Sequence, residues 1–310
     1  MIWPFNRNKV GRASKIAIKP PQAGPDRQGI CLVVIARNEG KRLNDWLTFH
    51  ALAGVSHVVL YDNMSTDDTV AVARNFKGIA VTVVPWQLHT QTVKPALILP
   101  RQILAYCHAI STFGSRFRWM AMIDVDEYIV PRDDMRIDDV LADLNAFTNI
   151  SLPWTMFGHA GHDEPPVLPI PYAFNRRARH ATGDLLNFKC IVDPCDVTQV
   201  STHKFETRKM GNASANTLGQ ISPNKQRHQA NFVTTQGLQL NHYYLMSRAE
   251  TAAKISNSDV AGVSRAKREI AIMRKAALIE GDSVDDSAAA VFLARHGLTD
   301  PDAFSSLNKR

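Results

Sequence analysis

Apolar residues in this chain come in short dense runs separated by amphipathic stretches. The run "GICLVVIARNE" (29–39) is continuously apolar and ends in charge, as a strand buried on both faces does, and the first strand is expected to end near Arg37. Leu43, Trp46, Leu47 and Ala51 follow at helical spacing, and Gly54 supplies a stop. "SHVVLYDNMSTDDT" repeats the design: a strand through Val58 to Tyr61, a polar loop, and a helix starting near Thr66 to Asp68. A third strand at 79–86, a helix marked by Ile103, Leu104, Cys107 and Ile110, and a fourth strand over "RWMAMIDVDEYIVP" (118–131) continue the alternation. Ile137, Val140, Leu141 and Leu144 predict a further helix. Strands and helices alternating with short links indicate an α/β fold with a doubly wound parallel sheet, whose ligands bind beyond the carboxyl ends of the strands.

The rhythm changes after about residue 149. "ISLPWTMFG", a Pro-rich loop through Pro165 to Pro171, and candidate strands at 187–192 and 236–243 read as mixed, partly antiparallel structure. Residues 207–230 are polar, rich in Gly, Asn and Ser, and are expected to form a long, mobile loop. From Ser247 onward "RAETAAKI", "SRAKREIAIMRKAALI" and "DSAAAVFLARHG" read as helices. The expected organisation is a basic flexible tail over 1–28, a main domain over 29–255 (a nucleotide-binding half at 29–148 and an acceptor half at 149–255), and a C-terminal helical extension over 256–310.

Composition narrows this picture. With 310 residues, 45% of them apolar, the chain can bury one large core, and a formal charge of +7 suits anionic partners. The four cysteines, Cys31, Cys107, Cys190 and Cys195, are too few for a disulfide scaffold and point to a reducing, cytoplasmic setting; the spacing around Cys190 and Cys195 does not complete a zinc site. Trp3, Phe5, Arg7, Lys9, Arg12 and Lys15 read as a solvated tail, with peripheral contact to the inner face of an anionic membrane through this basic N-terminus as the alternative. No run approaches the ~20 apolar residues of a membrane span.

The candidate chemistry lies in "IDVDEY". A core strand gains nothing from ionised carboxylates, because desolvating each costs several kcal/mol unless a partner compensates. On a continuous strand Asp124 and Asp126 share one face, with Glu127 on the other, so two carboxylates converge. A divalent cation, Mn²⁺ or Mg²⁺, relieves their repulsion and keeps positions for water and phosphate oxygens; capping, or pairing with arginines such as Arg118 or Arg132, is the rival reading. Arg37, Asn38 and Glu39 after the first strand, and Asp62 and Asn63 after the second, are placed to hold a base and ribose. Asp67 and Asp68 sit where a helix begins, so helix capping is expected of them.

"VIARNEGKRLNDWLTFHALAGVSHVVLYDNMSTDDT" with "WMAMIDVDEYIVP" resembles the GT-A fold nucleotide-sugar glycosyltransferases, most closely the family 92 (DUF23-like) group and its family 2-related kin. "WTMFGHAGH", "NFKCIVDPCDV", "STHKFE" and "LQLNHYYLMSRAETAAKI" continue the likeness in the same order, so it covers about 30–255. The resemblance implies a Rossmann-like mixed sheet flanked by helices and a metal-dependent, inverting transfer from a UDP- or GDP-sugar to a glycan or glycolipid. Carried over by position, Asp124, Asp126 and His242 are the metal residues, and Asp62 and the Asn38/Glu39 pair hold the nucleoside. Among the cations, Lys189, His203, Lys204 and Arg208 are candidates to stabilise the diphosphate leaving group, with plain surface charge as the alternative. Inversion needs one carboxylate base, for which Asp163 and Glu164 are the candidates, with Glu127 and Asp193 as alternatives. His159 and His162, between Gly158 and Gly161, either line the sugar site or accompany a tight turn.

Two other readings carry less of the sequence. A sugar-phosphate nucleotidyltransferase needs a Gly-rich loop after the first strand, and "ARNEGKRL" has one glycine. A non-enzymatic nucleic-acid binder needs aromatics interleaved with a basic stripe; aromatics are 8% and not so arranged, so no nucleic-acid partner is expected.

Overall fold

The computed structural model describes residues 11–88, 97–256 and 265–307. Trp3, Phe5, Arg7 and Lys9, expected in the basic tail, lie outside the described residues. The first half folds in the order β1 (Ile30–Ala36), α1 (Gly40–Leu52), β2 (His57–Asp62), α2 (Thr69–Asn75), β3 (Ala80–Pro85), α3 (Arg101–Phe113), β4 (Trp119–Met122), β5 (Glu127–Pro131) and α4 (Ile137–Asp143). The second half adds β6 (Asn149–Met156), β7 (Phe188–Val192), the hairpin β8 (Ala213–Ala215) and β9 (Ile221–Pro223), β10 (Leu238–His242), α5 (Arg248–Ser256), α6 (Arg265–Gly281) and α7 (Ala288–Arg295).

These strands form one ten-stranded mixed sheet, with β9, β8, β6, β7, β4, β1, β2 and β3 in spatial order and β10 bridging β6 and β5. β1 to β4 are mutually parallel where they pair, while β7 runs antiparallel to both β4 and β6. The α/β, Rossmann-like mixed sheet flanked by helices is therefore present, and the purely parallel sheet suggested by the first half stops at β4. Alternation along β1 explains why the strand is apolar throughout. Ile30, Leu32, Val34 and Ala36 pack into one core with α1, α4, α6 and α7, while Cys31 and Val33 face a second core under α3.

Three expectations need correction. The single strand over 118–131 is two strands: Ile123 donates the last ladder bond to Val33, and the chain then turns, with the Glu127 amide on the Asp124 carbonyl at 3.0 Å. β5 leaves on a different partner, β10. The supposed mobile loop at 207–230 contains the β8–β9 hairpin, ordered by buried Asn216, whose Oδ1 accepts the amides of Leu218 and Gln220 at 3.0 Å each. Such side-chain-to-backbone bonds leave no apolar periodicity in the sequence. The flexible tail is also shorter than expected, because Ile16–Ala17 pair with Gln199 and Val200, and Ile16 and Ile18 pack on the second core. Among the described residues no helix is long and apolar enough to cross a membrane.

Candidate functional site

The carboxyl ends of β1, β2 and β4 open on one cleft of about 1250 Å³. That exceeds the roughly 300–1,000 Å³ typical of small-molecule sites, leaving room for a nucleotide with a sugar attached. Arg37, Asn38 and Glu39 line it from the end of β1, Asn63 and Met64 from β2, and Asp126 from the β4–β5 turn. Arg42 on α1, Arg101 on α3, Glu250 and Lys254 on α5, and Arg268 on α6 complete the charged wall, so five cationic side chains face three carboxylates. The loop tips are tied together. Asn38 adopts φ 58°, a left-handed conformation that asparagine tolerates, and its Oδ1 accepts the Thr66 amide at 2.8 Å. The Glu39 amide donates to Thr69 Oγ1 at 2.8 Å, and Asp67 caps α2 by accepting from the Thr69 amide and hydroxyl. Asp67 is thus the capping residue, while Asp68 makes no side-chain cap bond. Asp62 accepts the Ser65 amide at 3.0 Å and shapes the loop, without lining the cleft.

The turn between β4 and β5 separates the three acids. Asp124 is held by Lys189 Nζ at 2.8 Å and by Gln102 at 3.3 Å. Glu127, which is wholly buried, accepts the Asp124 amide at 2.8 Å and the Trp154 indole N–H at 2.7 Å, and lies 3.3 Å from the same lysine. Burial raises the Glu127 pKa, and Lys189 only partly offsets this. For Lys189 burial works against the charge, but Asp124 and Glu127 outweigh it and keep the ammonium well above its ordinary range. This lysine, expected to face the diphosphate, is instead sealed beneath the turn as the counter-charge to two acids.

Asp126 faces the other way, into the cleft. Its Oδ2 lies 3.3 Å from Lys254 Nζ and 3.6 Å from His242 Nε2. Burial alone would raise its pKa, yet Lys254 first and His242 next hold the carboxyl well below the usual carboxylate range. A backbone bond fixes this neighbourhood: the Tyr243 amide donates to the Asp126 carbonyl at 2.9 Å, bringing the end of β10 against the turn. The His242 ring packs 4.5 Å from Trp154 and edge-on to Tyr244, its buried Nδ1 has no hydrogen-bond partner among the described residues, and Glu127 Oε1 lies 3.9 Å from that atom. Glu39 feels the same group, since burial first and Asp126 next push its carboxyl up to about 7.

Asp126 and His242 fit a divalent ion as a pair of ligands. Two donors each about 2.1 Å from one ion stand roughly 3–4 Å apart, which the observed spacing matches. A histidine whose far nitrogen looks toward a buried carboxylate is also a recurring ligand arrangement. Asp124 does not join them, because it is turned to Lys189. Among the described residues no group of three or more His, Cys, Asp or Glu side chains is placed to hold a metal ion.

The remaining candidates lie outside the cleft lining. Asp163 is 80% exposed and paired with Arg248, and Glu164 is likewise at the surface, so the structure gives neither the enclosed setting of a base. Asp193 bridges Arg27 and Arg118. His203 Nδ1 donates to the Phe188 carbonyl (3.1 Å), and burial first and Lys189 next lower its pKa to about 4, so it is neutral rather than a cation for phosphate. Arg208 pairs with Asp196. His159 meets the Met246 carbonyl at 2.7 Å and His162 the Ala173 carbonyl at 2.9 Å, beside a tight turn at Ala160 and Gly161, both with positive φ. Sequence reading missed Arg42, Arg101, Lys254 and Arg268; the only local signal was Glu250 and Lys254 at i and i+4 on one helix, which is also ordinary surface spacing.

A family model described as glycosyltransferase family 92 matches residues 28–267. A glycosyltransferase family 92 protein of Ricinus communis is 22% identical over 167 residues, which is 51% of this chain and 28% of that protein. One of Oryza sativa subsp. japonica is 23% identical over 116 residues, covering 36% of this chain and 18% of that protein. The chain therefore spans under a third of the length of these relatives. Among solved structures, the mannosyltransferase Ktr4p from S. cerevisiae matches at 7% identity and TM-score 0.27, over 44% of this chain and 43% of that one. A UTP-bound UGPase from Acinetobacter baumannii matches at 9% identity and TM-score 0.29, over 90% and 97%.

Proposed function

Because the chain belongs to glycosyltransferase family 92, we propose that it transfers a sugar from a UDP- or GDP-sugar to a glycan or glycolipid acceptor, with inversion and with Mn²⁺ or Mg²⁺ as cofactor. The observation that carries this reading is the cationic cleft at the carboxyl ends of β1, β2 and β4, with Asp126 in its lining and the buried His242 behind it. Asn38, Glu39 and Asn63 are assigned to the nucleoside, following the rule that open α/β sheets bind ligands at this edge. Arg42, Arg101, Lys254 and Arg268 supply positive charge where a diphosphate would lie, and a desolvated cation there stabilises charge that grows on the leaving oxygen. Asp126, kept ionised by Lys254 and His242, and the Nε2 of His242 would hold the metal. When bound, that ion acts as a Lewis acid on the leaving diphosphate. Lys254, 3.3 Å from Asp126, would turn toward phosphate oxygens with Asp126 so engaged, a short shift for a flexible ammonium. The four free cysteines accord with the cytoplasmic location included in this proposal.

The test is a screen of UDP- and GDP-sugars for Mn²⁺-dependent thermal stabilisation, since a ligand selective for the folded state raises its apparent stability by mass action. One donor is expected to raise Tm by several degrees, roughly the effect of 1–3 kcal/mol. No shift with any donor, with or without metal, would remove the transferase reading.

A further inference from the structure

We propose that Lys275 holds the distal, sugar-bearing phosphate of the donor, an inference that rests on the nucleotide-sugar reading above. Lys275 lies past residues 28–267, so the family likeness does not assign it.

Cations from two helices meet at one ring. Tyr244 follows β10 and lines the cleft. Lys254 Nζ, on α5, stands 4.5 Å from the centre of its ring, and Lys275 Nζ, on α6, stands 4.8 Å from it. Arg268, seven residues before Lys275 and so on the same face of α6, lines the cleft as well. Burial raises the Tyr244 pKa, and Lys254 and Arg268 are the cations that pull against it. Like charges gathered in this way repel unless an anion lies among them.

The neighbouring acids are otherwise engaged. Lys254 has Asp126 at 3.3 Å, the carboxylate assigned to the metal. Asp184 is the acid whose field reaches Lys275, and it is paired with Arg274 at 3.0 Å. Burial lowers the Lys275 pKa; Asp184 opposes this and Lys254 adds to it. What faces the half-buried Lys275 ammonium is the pair of rings of Tyr244 and Trp154. Such contacts are weaker than the charge-assisted hydrogen bonds that a phosphate oxygen offers.

The position selects the phosphate. Lys275 Nζ is 5.8 Å from the centre of the Trp154 ring, and that ring packs 4.5 Å from His242. Trp154 belongs to β6, which lies on one side of β4, whereas β1 and β2, whose ends carry Asn38, Glu39 and Asn63, lie on the other. A diphosphate that runs from the nucleoside across Asp126 and His242 therefore brings its second phosphate toward Lys275. As the sugar departs, an oxygen of that phosphate keeps the electron pair of the breaking bond, and a partly desolvated ammonium beside it stabilises the new charge.

The experiment is calorimetric titration of the full chain, in buffer containing Mg²⁺, with UDP, GDP, UMP, GMP and inorganic pyrophosphate, for the parent, Lys275→Met and Lys275→Arg. Methionine keeps an apolar stem against the two rings, so Tm should stay near the parent's. The diphosphate that the parent prefers should bind Lys275→Met about tenfold more weakly and Lys275→Arg within about threefold of the parent, while the matching monophosphate binds all three alike. A methionine variant that holds the diphosphate as tightly as the parent, or that loses the monophosphate by the same factor, would overturn the inference and leave the transferase reading in place. An arginine variant no better than the methionine one would overturn it too. A parent that binds pyrophosphate through Lys275 but neither nucleoside diphosphate would do the reverse, keeping the phosphate site and removing the nucleotide.

Discussion

The two sides of one turn differ more than their sequence suggests. On one side Lys189, 1% exposed, and Glu127, wholly buried, form a sealed pair, with Asp124, 38% exposed, at its rim. On the other, Asp126, His242 and Lys254 open onto the cleft, with the Asp126 side chain 23% exposed and the lysine 35%. Both clusters pair acids with an ammonium, yet burial gives them opposite uses. The sealed charges cannot exchange partners without leaving another charge unpaired in a low-dielectric interior, so they fix the turn. The open charges can trade a weak ion pair for a ligand at little cost, because the alternative partner is water.

The sharpest break of this comparison is Asp126→Asn. It should lower turnover by about a thousandfold or more, the scale of losing a key transition-state contact, while circular dichroism and Tm stay near the parent's. His242→Ala should raise the Mn²⁺ needed for half-maximal stabilisation by roughly 10–100-fold. An unchanged metal titration would return that histidine to packing against Trp154. On the sealed side, Lys189→Met should cost about 3–5 kcal/mol in urea denaturation, since it leaves the buried Glu127 carboxyl without its cation. A loss under about 1 kcal/mol would show that the cluster is wetter than its burial indicates.

A buried titratable group lets pH probe the same principle away from the turn. His50 Nδ1 meets the Trp46 carbonyl at 2.9 Å and Nε2 accepts the Ile129 amide at 3.2 Å, which fixes a neutral ring, and burial lowers its pKa to about 3. The folded-state pKa lies below the unfolded one, so the unfolded chain takes up the proton first. Stability is fully present above the unfolded value of about 6.5 and falls as pH drops toward 3, by up to about 1.4 kcal/mol per unit from this group. His203, also held neutral, adds to the same slope between about 6.5 and 4. Denaturation at stepped pH measures it, and His50→Gln should flatten the curve. The smallest effect is expected from Asp163→Asn with Glu164→Gln. These exposed carboxyls should change turnover by less than about twofold, because a useful base sits enclosed beside its proton. A loss of a hundredfold would restore them as the base.

Much of the architecture was legible because its strands and helices carry strong periodicity. The apolar run at 30–36, the helical spacing of Leu43, Trp46 and Leu47, and the four-residue pattern from Ile137 all correspond to elements of the structure. The break after Met122 was not legible. Val125 and Tyr128 are as apolar as strand residues should be, and the interruption shows only in backbone bonds to Val33 and within the turn. The hairpin at 213–223 was hidden for the related reason that Asn216 and its backbone partners, rather than an apolar face, hold it. Arg37, Asn38, Glu39, Asn63, Asp126 and His242 do gather as expected, whereas Lys189 and His203 are turned inward.

By itself the sequence determined the α/β order, the clustering of polar residues at the strand ends, and an acid-rich segment demanding positive charge. Only the tertiary structure decided which acid opens to the cleft and which cations answer it. Periodicity reports which face of one element leaves water, so it is written locally. Charge compensation depends on distance through space, and the lysine that meets Asp126 comes from a helix 128 residues further along the chain.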